Sequence, residues 1–299
     1  MTSPSAGTTR ITVVGIGAIG LPMALRLLEA GFPVTGVDPF EASRTRAAAR
    51  GLPAEATSAS AAEADVVICM VATPEQLRQA ALGEDGLLRR MRSGATLVVM
   101  STVGVTPVQE VLAAAEGTGV TVLDVPVTGG VAGAEAGTLT LFAAGDPAGL
   151  ERLGPVLAPL GTVRPCGEAV GRGQAMKAVN QLLASVHLVA AAEALAFASA
   201  LGLDPEDAFG AVSAGAGGSW MLSDRGPRML EGLDAEITST IGIFVKDAGL
   251  VCDMAEELGF DAPLVAAARD RFLAASAQGL LPRDDSQVIR TYLDAGATR

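Results

Sequence analysis

Apolar positions follow two regimes along the chain. Up to about residue 172, short β-rich apolar runs alternate with stretches of helical spacing. The runs cover 11–17, 32–38, 64–71, 94–100, 120–126, 137–146 and 161–167, and helical spacing fills 18–31, 74–82, 106–116 and 147–159. Strands that alternate with helices predict a parallel sheet with right-handed crossovers. The first run, "ITVVGIG", is apolar at nearly every position and predicts a central strand buried on both faces. Beyond 172 the strand pattern stops, and helical spacing predicts helices over 173–202, 204–214, 219–231, 238–259 and 262–279. The expected organisation is a flexible N-terminus over 1–8, an α/β domain over 9–172 and an all-α domain over 173–299.

The first strand runs into "GIGAIG", where Gly15, Gly17 and Gly20 have the G-x-G-x-x-G spacing. In this motif the first glycine makes a tight turn and the second lets a pyrophosphate approach the backbone. The third lets the helix pack closely on the strand. Ala18 and Ile19 fill the remaining positions, and the phosphates sit at the helix N-terminus, where unpaired N–H groups and the dipole favour anions. Asp38 ends the second strand at roughly the twenty-residue spacing at which an acid accepts the adenosine ribose hydroxyls. Its carboxylate repels a 2′-phosphate, so NAD is expected in preference to NADP. Arg44, the next basic residue, keeps the NADP reading in view. The fold class expected is a Rossmann-type doubly wound α/β sheet followed by an all-α C-terminal domain.

Charge and composition remove several alternatives. A net charge of −12 argues against a basic nucleic-acid surface. Three widely spaced cysteines, Cys69, Cys166 and Cys252, suit reduced thiols of a cytoplasmic protein. One histidine, His187, gives no basis for a metal site. The polar N-terminus lacks the apolar run of a signal peptide. Residues 175–202 reach membrane-spanning length but carry Lys177, Asn180, His187 and Glu193, so a buried helix is expected there and no membrane partner.

Three segments carry candidate chemistry. "DVPVTGG" (124–130) follows a strand, and Thr128, Gly129 and Gly130 offer a hydroxyl and close backbone N–H groups suited to a carboxylate. An ordinary strand-to-helix turn has the same look. "GRGQAMKAVNQLL" (171–183) puts Lys177 and Asn180 three apart on one helix face, near its first turn. The positive helix end and an apolar surround would lower the lysine's pKa towards an acid/base range. A lysine snorkelling near a helix end also fits. "IFVKDAGLV" (243–251) sets Lys246 and Asp247 inside an apolar helix, as an ion pair or a ligand contact. Trp220 and Met221 suit either a pocket mouth or ordinary packing, and Asp285 suits a helix cap.

Taken in order, "GIGAIGLPMA", "STV" (101–103), "DVPVTGG", "GRGQAMKAVNQ" and "FVKD" resemble the β-hydroxyacid dehydrogenases, over nearly all of residues 10–290. "NQLLASVHLVAAAEAL", "GSWML" and "IFVKDAGLV" look most like the L-threonate dehydrogenase branch. The resemblance implies hydride transfer between NAD and a short hydroxy acid, in a homodimer or homotetramer. It makes Lys177 the general acid/base and Asn180 a substrate-orienting residue. It puts the substrate carboxylate on Thr128, Gly129 and Gly130, Thr102 by the nicotinamide ribose, and Lys246 towards cofactor and substrate. The family often has serine at the position of Thr128, and "VATP" (71–74) replaces its usual "LP". Two rival readings are an imine reductase, which usually lacks the lysine, and a non-catalytic NAD-binding sensor. A 6-phosphogluconate-type enzyme would need a basic cluster for a phosphate, and the second domain shows none in its sequence.

Overall fold

A computed structural model describes residues 7–293. The expectation of a flexible N-terminus over 1–8 therefore lies almost wholly outside the described residues. The chain divides into two compact units, Met1–Lys177 and Ala178–Arg299. The division falls inside one helix, five residues past the boundary that the pattern of elements suggests.

Among the described residues the first unit is built on nine strands: β1 (Ile11–Val14), β2 (Val34–Val37), β3 (Ala54–Glu55), β4 (Val66–Cys69), β5 (Thr96–Val99), β6 (Thr121–Asp124), β7 (Val127–Thr128), β8 (Leu139–Ala144) and β9 (Gly161–Gly167). Helices α1 (Gly20–Glu29), α2 (Glu41–Ala49), α3 (Pro74–Leu82), α4 (Leu87–Arg90), α5 (Val105–Ala115), α6 (Gly130–Ala136) and α7 (Pro147–Leu157) connect them. The strand order is β3-β2-β1-β4-β5-β6-β8-β7, with β9 on β8. Successive side chains of a strand point to opposite faces. Val13, Ile68 and Val98 thus join one buried cluster, and Val14, Val67 and Leu97 join another across the sheet. This is the two-sided burial expected of "ITVVGIG". Chain direction reverses its sideways progress at β1, between β2 and β4, and ligands of such sheets bind at the strand C-termini beside that point.

The sheet is parallel from β3 to β6, but β8 runs antiparallel to β6 and β7. The wholly parallel expectation is corrected there. Segment 129–138, between β7 and β8, is shorter than the dozen or so residues that a parallel crossover needs.

The second unit begins within α8 (Arg172–Ala200) and continues through α9 (Pro205–Ser213), α10 (Trp220–Glu231), α11 (Ile241–Glu257), α12 (Pro263–Ala277) and α13 (Arg290–Leu293). Its core gathers Leu188, Ala192, Leu195, Phe244, Val265 and Phe272. A 3₁₀ turn over Asp285–Ile289 is buried against α10 by charge as well as packing. Arg225 holds Asp285 in a two-pronged pair at 2.9 and 3.0 Å. Arg228 reaches Asp284 at 3.3 Å, and both arginines meet Asp224. The cap expected of Asp285 belongs instead to Asp284, whose carboxylate accepts from Ser286 N and Thr238 N. Asp285 is fully buried, and burial pushes its carboxyl up against the opposing pull of Arg225.

Removing one partner of a buried pair strands the other charge, at about 3–5 kcal/mol. Asp285→Ala is therefore expected to lower unfolding stability by that amount in urea titration, and Asp285→Asn by less. An Asp285→Ala midpoint equal to wild type would show that the pair contributes nothing.

Candidate active site

The loop from β1 to α1 has the shape that its glycines predict. Gly15 has φ +90°, and a Cβ there would stand 2.3 Å from Met70 O. A Cβ on Gly20 would stand 1.9 Å from Gly15 O, so only glycine lets α1 start this close to the strand. At Gly17 a Cβ would meet no protein atom within 4 Å, so its bare backbone faces outward. Ile19, the N-cap residue of α1, supplies no side-chain acceptor for the amides of the first turn. Gly17 and Ala18 line a cavity of about 300 Å³ with Arg46, Arg50 and Glu135. Bare amides, a helix start and two guanidinium groups suit a pyrophosphate. Arg46, in the last turn of α2, and Arg50, its C-cap residue, escaped sequence reasoning, although they stand four positions apart.

Asp38 is buried at the end of β2. Its Oδ2 accepts from Ile16 N at 3.2 Å and its Oδ1 from Phe40 N at 2.9 Å. Each oxygen thus carries one of its roughly two lone-pair sites to the backbone, which fixes the carboxylate and leaves acceptor capacity for ribose hydroxyls. Arg44 donates through one nitrogen to Asp38 O at 2.8 Å and Pro39 O at 2.7 Å. That tethers it to the same turn.

At the C-terminal ends of β5 and β6, two residues that sequence reasoning left unassigned organise the rest. Asp124 is fully buried; its Oδ2 accepts from Gly171 N (2.9 Å) and Gln174 N (3.0 Å), and its Oδ1 from Gln174 Nε2 (2.9 Å). Burial pushes this carboxyl up, against the pull of those hydrogen bonds. Gln174 also donates to Ser101 O (3.0 Å) and accepts from Val103 N (3.0 Å) and Gly104 N (3.2 Å). Thr102 lies in the segment thus pinned, and Ser101 Oγ accepts from Val71 N at 2.8 Å, tying in the end of β4. In the departing "VATP" segment, Thr73 caps α3 and Pro74 opens it. Thr128 ends β7, and Gly129 (φ +129°) and Gly130 (φ +64°) make the turn into α6.

Gly173 explains the paired glycines before Lys177. A Cβ there would stand 2.6 Å from Phe142 O and 2.7 Å from Asp124 O, so the start of α8 rests directly on the sheet. Lys177 is buried one turn further on. The helix end expected to act on it as a bare positive pole carries the Asp124 carboxylate, which offsets part of that field.

Within the second unit, Asn180 Nδ2 donates to Gln181 Oε1 at 2.8 Å, and Gln181 Nε2 donates to Asp247 Oδ2 at 2.5 Å. Asp247 Oδ1 stands 2.5 Å from Lys246 Nζ, the ion pair that adjacency in "VKD" suggests. His187 is half-buried in α8. Trp220 is exposed, its ring 5.6 Å from the Arg225 guanidinium carbon. Composition held a further signal: of 21 basic residues only Lys177 and Lys246 are lysine. Arginine cannot give up its proton in a protein, so the two cations able to do so both stand in candidate segments.

A dinucleotide cradle on a doubly wound sheet, joined to an all-helical unit, defines an NAD(P)-binding oxidoreductase class. Residues 10–171 match the NAD binding domain of 6-phosphogluconate dehydrogenase, and residues 171–292 match the NAD-binding domain of NADP-dependent 3-hydroxyisobutyrate dehydrogenase. The chain is 36% identical to L-threonate dehydrogenase of Escherichia coli K12, over 94% of each chain. It superposes on the crystal structure of 3-hydroxyisobutyrate dehydrogenase from Salmonella typhimurium with a TM-score of 0.87 and 35% identity, over 94% of this chain and 99% of the other. An imine reductase from Streptomyces aurantiacus shares the fold alone, at 21% identity and a TM-score of 0.64, over 94% and 99%. The chain belongs to the β-hydroxyacid dehydrogenase family.

Proposed function

We propose that the chain oxidises a short hydroxy acid, a 3-hydroxy acid or a four-carbon sugar acid such as threonate, with NAD as partner and Lys177 as general acid/base. The observation that carries this is the buried lysine one turn into α8, in a chain with a single other lysine. Bound NAD supplies the hydride acceptor. Lys177 takes the substrate hydroxyl proton at Nζ as the carbon is oxidised, and returns it in reduction. Asn180 orients that oxygen. Thr128 Oγ1 and the backbone N–H groups of Gly129 and Gly130 hold the carboxylate, Thr102 and Lys246 contact the cofactor, and Lys246 also reaches the substrate. The three cysteines are free thiols, in keeping with a cytoplasmic setting.

Oligomerisation has its own support. On α8 and just past it, Val179, Leu183, Phe197 and Leu201 are exposed at helical spacing, Val179 by 59% and Phe197 by 62%. Copies carrying −12 repel one another across charged surfaces, so an uncharged stripe suits self-association best. Such a helix is also long and apolar enough to cross a membrane. We infer a homodimer or homotetramer built on this stripe.

Four outcomes are expected. A screen of threonate, glycerate, 3-hydroxyisobutyrate and tartrate should give substrate-dependent NADH formation. Lys177→Met should lower kcat by about 10²–10⁴ with NADH binding and circular dichroism unchanged; near-normal turnover would refute the lysine's role. Tight NADH binding with no turnover of any acid would favour the sensor reading. Asp38 should give a higher kcat/KM with NAD than with NADP, and Asp38→Ser should relax that preference; an NADP preference in the wild type would sink the assignment. Light scattering should find an oligomer that Phe197→Glu with Leu201→Glu shifts to smaller mass. A monomeric wild type, or one recovered only with lipid or detergent, would overturn the self-association.

A further inference from the structure

The chain contains one asparagine, Asn180. Its side chain belongs to a run of polar contacts on α8 and α11: Asn180 to Gln181, Gln181 to Asp247, Asp247 to Lys246. Neighbouring residues on a helix point about 100° apart, so the Asn180–Gln181 bond forms only if something else holds the Gln181 amide. Asp247 does so. Gln181 and Asp247 are both buried, so neither exchanges this partner for bulk water at small cost.

Donor and acceptor chemistry then gives the run a direction. The Asp247 carboxylate, paired with Lys246, only accepts. Gln181 must therefore turn Nε2 towards it, which leaves Oε1 towards Asn180. Oε1 only accepts, so Asn180 must offer Nδ2, and covalent geometry turns Oδ1 to the other side. We propose that Gln181 and Asp247 are positioning residues that lock the Asn180 amide with its nitrogen, rather than its oxygen, presented to the substrate's reacting oxygen. The inference rests on reading Asn180 as a substrate contact. The chemistry requires a donor at that corner. A hydroxyl has one proton, and in oxidation that proton goes to Lys177. The oxygen left behind gains negative charge and ends as a carbonyl, an acceptor throughout. Nδ2 carries two N–H bonds, so it is able to serve both Gln181 and this oxygen. A reversed amide would set Oδ1 against it.

The test inverts or preserves the direction. In Gln181→Lys the new ammonium still pairs with Asp247 but only donates, so it draws Oδ1 of Asn180 towards it. In the double variant Gln181→Glu with Asp247→Asn, the new carboxylate accepts from both neighbours, so Asn180 keeps its direction and the total charge is unchanged. Protein labelled with ¹⁵N at asparagine shows one side-chain NH₂ pair, that of Asn180, a readout independent of turnover; the double variant adds a second pair from position 247, which the single variant Asp247→Asn identifies. Wild type and double variant should share the shifts and slow proton exchange of the Asn180 pair, and Gln181→Lys should lose both. If Gln181→Lys fails to fold, Gln181→Met serves, with the same loss expected. With an acid that the wild type oxidises, inversion should lower kcat by about 10²-fold with little change in KM, as for loss of an oxyanion donor. The double variant should stay within about tenfold of wild type in kcat, since its donor is retained. A merely structural role would penalise the two changes at least as much as the one. An unchanged NH₂ pair in the lysine or methionine variant, or a double variant as impaired as the inverted one, would overturn the proposal. If the NMR signatures separate as expected but no hydroxy acid is oxidised, the lock stands and the hydroxyacid reading falls.

Discussion

One buried carboxylate holds the candidate machinery of the first unit in register. Asp124 ends β6 and accepts two backbone amides from the start of α8 and one side-chain amide from Gln174. A hydrogen bond to a charged group contributes about 1.5–3 kcal/mol when its loss strands the partner. Three of them offset much of the penalty for burying the charge. The geometric result matters more than the energy. Gln174, held by Asp124, uses its remaining capacity on Ser101, Val103 and Gly104. The strand ends of β5 and β6 and the first turn of α8 are thereby fixed to one another, and Thr102 and Lys177 are carried on them.

Polar residues in the second unit divide into two kinds. Arg225, Arg228, Asp224, Asp284 and Asp285 form a structural network that seals a 3₁₀ turn against α10. Among the described residues it contains no lysine. Asn180, Gln181, Asp247 and Lys246 form the other, smaller set. It is built from amides and a lysine, whereas the first relies on arginine, whose charge is permanent.

Much of the architecture was legible in the sequence because its causes are local. Strand alternation, helical spacing and the glycine loop follow from side-chain direction and from the φ values that only glycine tolerates. So does Asp38, whose place at the end of β2 follows from the motif. Lys177, Asn180, Thr128 and Lys246 stood out through ordered motifs, and the near-absence of other lysines was a further sign available from composition.

The polar pairings were not legible. Asp124 meets Gln174 fifty positions away, and Gln181 meets Asp247 sixty-six positions away. The neighbouring acids Asp284 and Asp285 look alike in sequence, and only the approach of α10 makes one a cap and the other the partner of a buried arginine. The antiparallel turn of β8 belongs to the same class. Hydrophobic periodicity is degenerate about which strand lies beside which, and a polar residue's chemistry says what it can bond to, but not what folding brings within reach. The sequence by itself determined the elements, the dinucleotide cradle and the residue types available for proton transfer. Tertiary structure alone decided which buried donors meet which acceptors, because each such bond depends on the packing of elements far apart in the chain.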